Sequence, residues 1–322
     1  MFISIHLYEV NIVCEENNQT TRDIAFFTNG SFLRADDELQ QAHVPIKNRI
    51  EIVDDISMQK LPKTLWKRIA DSCTLGGLQD ATRQFTQLYA FVRELHGWPT
   101  DSDRTRWDHD ERLQICIGLS RIIYPTSISF KYSGRVFYDG EEIVDVIPGP
   151  VGGFGAEVWL SPNDRRDWLT DEDARNVSAI VTAYFASQSR LCTRVKQALW
   201  YLEYAYRTEF LDLRWPLVCI GLESLIHTDQ YNSTPQFGKR VPKIAEQVGI
   251  REFSEDKARK AYSMRSSLVH GQLLRDIGKT ELELYEKVEN ILRLAIKRAI
   301  LEPSYNLVFS CDDKIRENYP II

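Results

Sequence analysis

Ala261-Tyr262-Ser263-Met264-Arg265-Ser266-Ser267-Leu268-Val269-His270-Gly271 is the stretch from which the second half of this chain is read. Just before it, Ser254-Glu255-Asp256-Lys257 has the form of a helix start, a serine able to cap followed by acidic residues in the first turn. Gly271 supplies a stop. The stretch is therefore the last part of a helix, and it carries an arginine and a histidine with four residues between them. Imidazole moves a proton near neutral pH, and guanidinium holds a charged phosphate. The same spacing recurs between Arg104 and His109. There it follows the loop Thr100-Asp101-Ser102-Asp103, and His109 reads as part of a helix start.

Working outward, the flanking segments form a helical array. Leu191 to Tyr206 places apolar residues at 191, 195, 198, 199, 202, 205 and 206, which is helical spacing. Arg214 to Ile226 is apolar nearly throughout, predicting a buried helix with Pro216 in its first turn, where the missing N–H costs nothing. Phe237-Gly238-Lys239-Arg240 opens a shorter amphipathic helix ending near Gly249. Thr280 to Leu301 has Leu282, Tyr285, Val288, Ile291, Leu292, Ala295 and Ile296 on one face. Glu223, on the apolar helix, reads as the partner of a buried basic residue. Trp200, Tyr201, Tyr204, Trp215 and Tyr262 read as core at helical spacing.

The order Gly221-Leu222-Glu223-Ser224-Leu225, Phe237-Gly238-Lys239-Arg240 and then Tyr262 to Gly271 resembles the Apea-like branch of the HEPN superfamily, over about residues 190–300. HEPN domains are helical bundles that usually dimerise, and many are ribonucleases of host defence or toxin systems. The resemblance implies catalysis by Arg265 and His270, with Ser266 standing where many catalytic members carry asparagine. Ser266 is a candidate for orienting the phosphate, and Lys257, Arg259 and Lys260 are candidate substrate contacts. On an ideal helix five residues advance about 500°, so Arg265 and His270 point roughly 140° apart. A bend at Ser266 and Ser267, fraying toward Gly271 or a twofold partner would each reconcile them.

The first half differs in character. Asp23 to Phe27, Arg49 to Val53, Ser127 to Tyr132, Arg135 to Tyr138 and Glu142 to Val146 read as strands, the last two separated by an Asp139-Gly140 turn. Ile3, Ile5 and Leu7 alternate, so the N-terminus reads as a strand and not a signal peptide. Helical patterns cover about 61–72, 80–95 and 109–123. Pro148 to Gly155 is a loop without the Lys-Ser/Thr of a nucleotide-binding loop. Thr170-Asp171-Glu172-Asp173 is a capping box opening a helix to about Gln188. The predicted fold class is α+β: a mixed N-terminal domain followed by an all-α HEPN-like helical bundle. Its divisions are 1–165, a mixed regulatory or sensing domain of no recognised family; 166–302, the helical ribonuclease domain; and 303–322, a C-terminal tail.

Composition sets the remaining bounds. Hydrophobic content of 43% and charged content of 27% describe an ordinary globular chain. Its net charge of −6 is unevenly spread. Residues 1–164 hold 16 Lys/Arg against 24 Asp/Glu, whereas residues 165–322 hold 24 against 22. The helical half is thus mildly basic, which suits a confined site touching few phosphates better than nonspecific binding along RNA. Six scattered cysteines (14, 73, 116, 192, 219, 311) without C-x-x-C spacing suit a reduced, cytoplasmic protein. No His/Asp/Glu cluster has ligand spacing, and the expectation is a site with no metal and no cofactor.

Together these readings predict a metal-independent endoribonuclease, a toxin-like effector of antiviral defence, acting as a homodimer through its C-terminal bundle. RNA is the expected substrate partner, and an unknown trigger bound by the N-terminal domain is the expected regulator. No membrane partner is expected, because no stretch is long enough to span one. The alternative is a non-catalytic HEPN binding or dimerisation module with a ligand-sensing N-terminal domain. Under it Arg265 is structural and His270 is a C-terminal histidine favoured by the helix dipole.

Overall fold

The computed structural model describes residues 19–28, 49–60, 64–65, 88–96, 111–125, 133–148, 169–208, 210–229, 231–271 and 278–321. In the first half these residues build one antiparallel sheet. Its strands are β1 (Gln19–Thr28), β2 (Ile50–Val53), β3 (Ile56–Lys60), β4 (Leu88–His96), β5 (Ser133–Asp139) and β6 (Glu142–Pro148), in the order β2-β3-β4-β1-β5-β6. Two tight hairpins anchor it. Val53 pairs Ile56 across one. In the other Asp139 pairs Glu142, with Gly140 at φ +60°, the left-handed conformation that such a two-residue turn demands.

β4 corrects the sequence reading. Where a helix is expected over 80–95, Leu88–His96 is a strand between β1 and β3. Ala90, Phe91 and Val92 are all fully buried in succession, so the strand carries no alternation to reveal it. The expected elements at 1–13 and 127–132, the Gly149–Gly155 loop, the Arg104–His109 pair and all but two residues of 61–72 lie outside the described residues.

Nine helices complete the described fold: α1 (Glu111–Ile123), α2 (Asp171–Ser187), α3 (Thr193–Tyr206), α4 (Leu211–Ile226), α5 (Ser233–Gln247), α6 (Glu255–Val269), α7 (Lys279–Leu301), α8 (Pro303–Val308) and α9 (Asp312–Asn318). The architecture is α+β with a helical C-terminal region. α2 begins at the expected capping box: Thr170 Oγ1 accepts from the Asp173 amide at 3.2 Å, and Asp173 accepts from the Thr170 amide at 2.8 Å. α4 starts upstream of the expected point, which leaves Pro216 inside the helix and not in its first turn. α5 likewise starts early and contains Pro242.

α7 is the spine of the bundle. Val288, Ile291, Leu292 and Ile296 are buried on the face the periodicity predicts, each stabilising by roughly 1.5–3 kcal/mol. α3 and α4 lie close together at Gly221, where an added Cβ would stand 2.6 Å from Leu292 Cδ2 and 3.5 Å from the Ala198 carbonyl. Trp215 of α4 is buried and donates its indole N–H to the Ala261 carbonyl of α6 at 3.0 Å. That bond fixes where α6 crosses α4.

The two halves share one buried cluster, running from Ile52 and Met58 through α1 and α2 into α7. Polar ties reinforce it. Arg121 of α1 pairs with Glu203 of α3 at 2.5 Å. Arg293 of α7 donates to the carbonyls of Ile122 and Ile123, and Ser178 of α2 donates to Ile52. The expected division near 165 falls at residues outside the described set, and the parts on either side of it pack together.

Residues 303–321 fold as two helices against the bundle, beyond what a tail implies. The chain end is strapped to α5. Arg240 Nε donates to the Tyr319 carbonyl at 2.9 Å, Lys239 Nζ to Ile321 at 2.6 Å and Lys243 Nζ to Pro320 at 2.6 Å. Tyr319 is fully buried against Phe309. Asn306 of α8 clamps the turn before α3, accepting from the Cys192 amide and donating to the Arg190 carbonyl.

Candidate functional site

α6 brings the Arg–His pair to the surface of the bundle. Ser254 caps it, with its side chain accepting from the Lys257 amide. The helix continues without a break through Ser266 and Ser267 to Val269. His270 is the C-cap residue, its amide bonded to the Ser266 carbonyl at 3.1 Å, and Gly271 takes φ +82° just after it. Of the three expected routes to bring the pair together, the bend at Ser266 and Ser267 is not marked by any break in the helix. The chain leaves the helix only at His270, whose side chain is exposed.

Arg265 turns the other way, inward to α4. Its Nη2 donates to Glu223 Oε2 at 3.3 Å, and its guanidinium stands 5.5 Å from the Tyr262 ring centroid, within cation–π range. Nε is buried with no hydrogen-bond partner among the described residues. Glu223 is 7% exposed. Its other oxygen accepts from the Tyr262 hydroxyl at 2.7 Å. Burial, and then this bond to Glu223, push the Tyr262 hydroxyl up to about 12, so it stays a proton donor. Glu223 thus orients Arg265 from below. The expectation that Glu223 pairs with a basic residue is realised in Arg265 itself.

His227, the C-cap of α4, joins this cluster and has no counterpart in the sequence reading. Its Nε2 lies 3.8 Å from Glu223 Oε1. Burial pulls its pKa below the ordinary imidazole value, while Glu223 opposes that shift. Arg194 of α3 reaches across to the C-terminal end of α4. It donates to the carbonyls of Ser224 and His227, and it pairs with Asp312. The only sequence signal for this arrangement was a histidine directly after an apolar helix.

Between α3, α4 and the α8–α9 turn opens a cleft of about 770 Å³. Thr193, Gln197, Ile220, Glu223, Ser224 and His227 are among its lining residues. Glu223 therefore faces the cleft while holding Arg265.

The candidate substrate contacts on α6 are occupied by protein partners. Lys257 Nζ donates to the Glu252 carbonyl at 2.7 Å, Arg259 bonds Glu255 Oε1 at 2.6 Å and Lys260 bonds Glu281 at 3.0 Å. All three ion-pairing or donor groups remain solvent-facing. Ser266 is half-buried, and its carbonyl accepts the His270 amide. The aromatic residues divide: Trp215 and Tyr262 are core as expected, but Trp200 and Tyr204 are 53% and 43% exposed, with ring centroids 4.2 Å apart. Among the described residues no three His, Cys, Asp or Glu side chains gather as a metal site. None of the described helices is long and apolar enough to cross a membrane.

Comparison with family models, curated proteins and solved structures finds no match.

Proposed function

We propose that this chain is a metal-independent endoribonuclease whose working site is completed by a second copy across a twofold axis. One observation carries the reading: a partly exposed arginine is held from below by a buried carboxylate, on the same helix as a solvent-exposed histidine. Such an arginine is a preorganised cation, and its anchor removes much of the rotamer freedom that binding a phosphate would otherwise cost. RNA carries its own nucleophile, the 2′-OH beside each phosphodiester. His270 takes that proton as general base or protonates the departing 5′-oxygen when charged. Arg265 holds the phosphate and balances the added negative charge. Ser266 lies between them and is assigned the lesser role of orienting the phosphate.

The inward turn of Arg265 and the outward turn of His270 support the twofold arrangement, since one chain's pair does not converge on a single phosphate. The same inward turn is also the observation in favour of a non-catalytic module, in which Glu223 and Arg265 simply join α4 to α6. Oligomeric state separates the two readings. Light scattering should find a homodimer, and activity per chain should fall on dilution as dimers dissociate. A strict monomer that cleaves RNA equally well would remove the composite site. We assign the protein to cytoplasmic antiviral defence, with the β-sheet half as the part that senses a trigger. The resemblance supports the defence role, and the acidic balance of residues 1–164 supports a partner other than RNA for that half.

A further inference from the structure

The α3–α4 hairpin turns an apolar face outward. Thr193 and Gln197 of α3 line the same cleft as Ile220 and Ser224 of α4, so the surface stripes to which they belong open to one side. At helical spacing the stripe on α3 continues to Trp200 and Tyr204, and the one on α4 runs back to Leu217 and Leu213. Trp200, Tyr204 and Leu213 are 53%, 43% and 55% exposed, and Phe210, just before α4, is 64% exposed. Contiguous apolar surface of this kind marks a contact site. We infer that a second copy of the chain docks here, the aromatic ridge of each copy lying on the aliphatic ridge of the other. The identity of the partner rests on the twofold reading proposed above; the face stands by itself.

Shape, size and charge each fit a second copy. Ala198 lies beside Gly221, and Arg194 reaches the Ser224 carbonyl at 3.2 Å, so α3 and α4 run antiparallel with these residues level. At about 1.5 Å rise per residue, Leu217 then stands level with Leu202, between Trp200 and Tyr204. The two ridges are therefore side by side and unlike, rings on α3 and branched aliphatic chains on α4. A twofold axis through the groove between them sets each ring ridge on the partner's aliphatic ridge, and such a contact closes at two copies. The exposed fractions of Trp200, Tyr204 and Phe210 leave roughly 240–400 Å² open per chain, at about 150–250 Å² for an aromatic side chain. Two copies bury roughly twice that before Leu213, Leu217, Ile220 and the rim are counted, which brings the contact to the ~1,000 Å² a specific interface must clear. The stripe positions 200, 204, 213 and 217 carry no charge to select an oppositely charged partner. Lys196 and Arg207 flank them, Arg207 paired with Glu203 at 3.0 Å, which gives an apolar centre with a polar rim. Glu223 follows Ile220 by three residues, about 60° round the helix, so the helix that meets the partner is also the one that anchors Arg265.

Sedimentation of the full-length protein over a range of concentrations tests the face. Trp200→Glu and Leu213→Glu each replace an exposed side chain, and each should weaken self-association at least about 30-fold with the circular dichroism unchanged, the loss expected for a buried anchor. Tyr231→Glu, at a position 85% exposed and off the face, should associate as the wild type does. Oxidative footprinting of the unaltered protein gives the same answer without any substitution: labelling of Trp200, Tyr204 and Phe210 should fall as the protein associates, while Tyr231 stays labelled. A dimer that is as tight in Trp200→Glu and Leu213→Glu as in the wild type, or one in which Trp200 and Tyr204 stay labelled, would overturn the face and leave the twofold reading standing. A wild-type protein that stays monomeric at every concentration would overturn both. A variant that is monomeric yet still cleaves RNA would support the face and remove the composite site.

Discussion

Arg265→Ala and His270→Ala are each expected to slow RNA cleavage by about 10²–10⁴-fold while leaving the helical content of the protein unchanged. His270 is exposed at the end of α6, so nothing in the packing depends on its ring. Removing Arg265 leaves the Tyr262 hydroxyl bonded to Glu223, and the carboxylate keeps a partner. Glu223→Gln should fall between wild type and these variants. Its amide still accepts from Tyr262 but no longer holds the arginine by charge. Single alanine substitutions at Lys257, Arg259 and Lys260 should cost only a few-fold, because each group already has a protein partner. Steady-state cleavage of a fluorogenic RNA, with circular dichroism on every variant, checks the series. Full activity in His270→Ala would remove the assigned proton-transfer role.

Arg240→Ala is expected to destabilise the protein by about 3–5 kcal/mol, the largest effect on stability foreseen for a single charged side chain here. Arg240 is fully buried and sits among carbonyl and amide oxygens. Nη1 donates to the Ile226 carbonyl, to Thr228 Oγ1 at 3.0 Å and to Gln236 Oε1 at 2.6 Å, while Nε holds Tyr319. Burial lowers its pKa, a sign that the charge is costly to keep and is compensated by these bonds. Truncation strands several acceptors at once and leaves a cavity. Urea denaturation should show the loss, and hydrogen exchange should show residues 303–321 losing protection first. A change below 1 kcal/mol would mean that Lys239, Lys243 and the packing of Phe309 and Tyr319 hold the strap without Arg240.

The arginine also shows what the sequence could and could not convey. The Phe237-Gly238-Lys239-Arg240 segment was legible as a helix, but Ile321 and Tyr319, to which its two basic residues donate, lie about 80 positions away, beyond the reach of any local pattern. Helices with one wet face, α2 and α7, were legible almost to the residue, because a half-buried helix writes its period into the chain. β4 was not. A central strand buried on both sides has no alternation, and its apolar run reads equally as a helix. Pro216 misled in another way. Proline is commonest at a helix start, and here α4 accommodates it further in, with five residues ahead of it. The placement of Arg265 and His270 at the end of a helix, and the pairing of Glu223 with a basic residue, were legible from residue type and helix spacing. The cleft, His227 and the exposed Trp200–Tyr204 pair depend on how α3, α4 and α8 meet.

The most direct measurement of the central claim is the chemistry of the cut ends. Purified full-length protein should cleave RNA in the presence of EDTA and leave 2′,3′-cyclic phosphate, or the 3′-phosphate formed from it, with a 5′-hydroxyl on the other fragment. A single 2′-O-methyl group at the scissile nucleotide should block the reaction, because it removes the nucleophile. Cleavage that survives that methyl group, or that requires a divalent ion and leaves 5′-phosphates, would contradict the account.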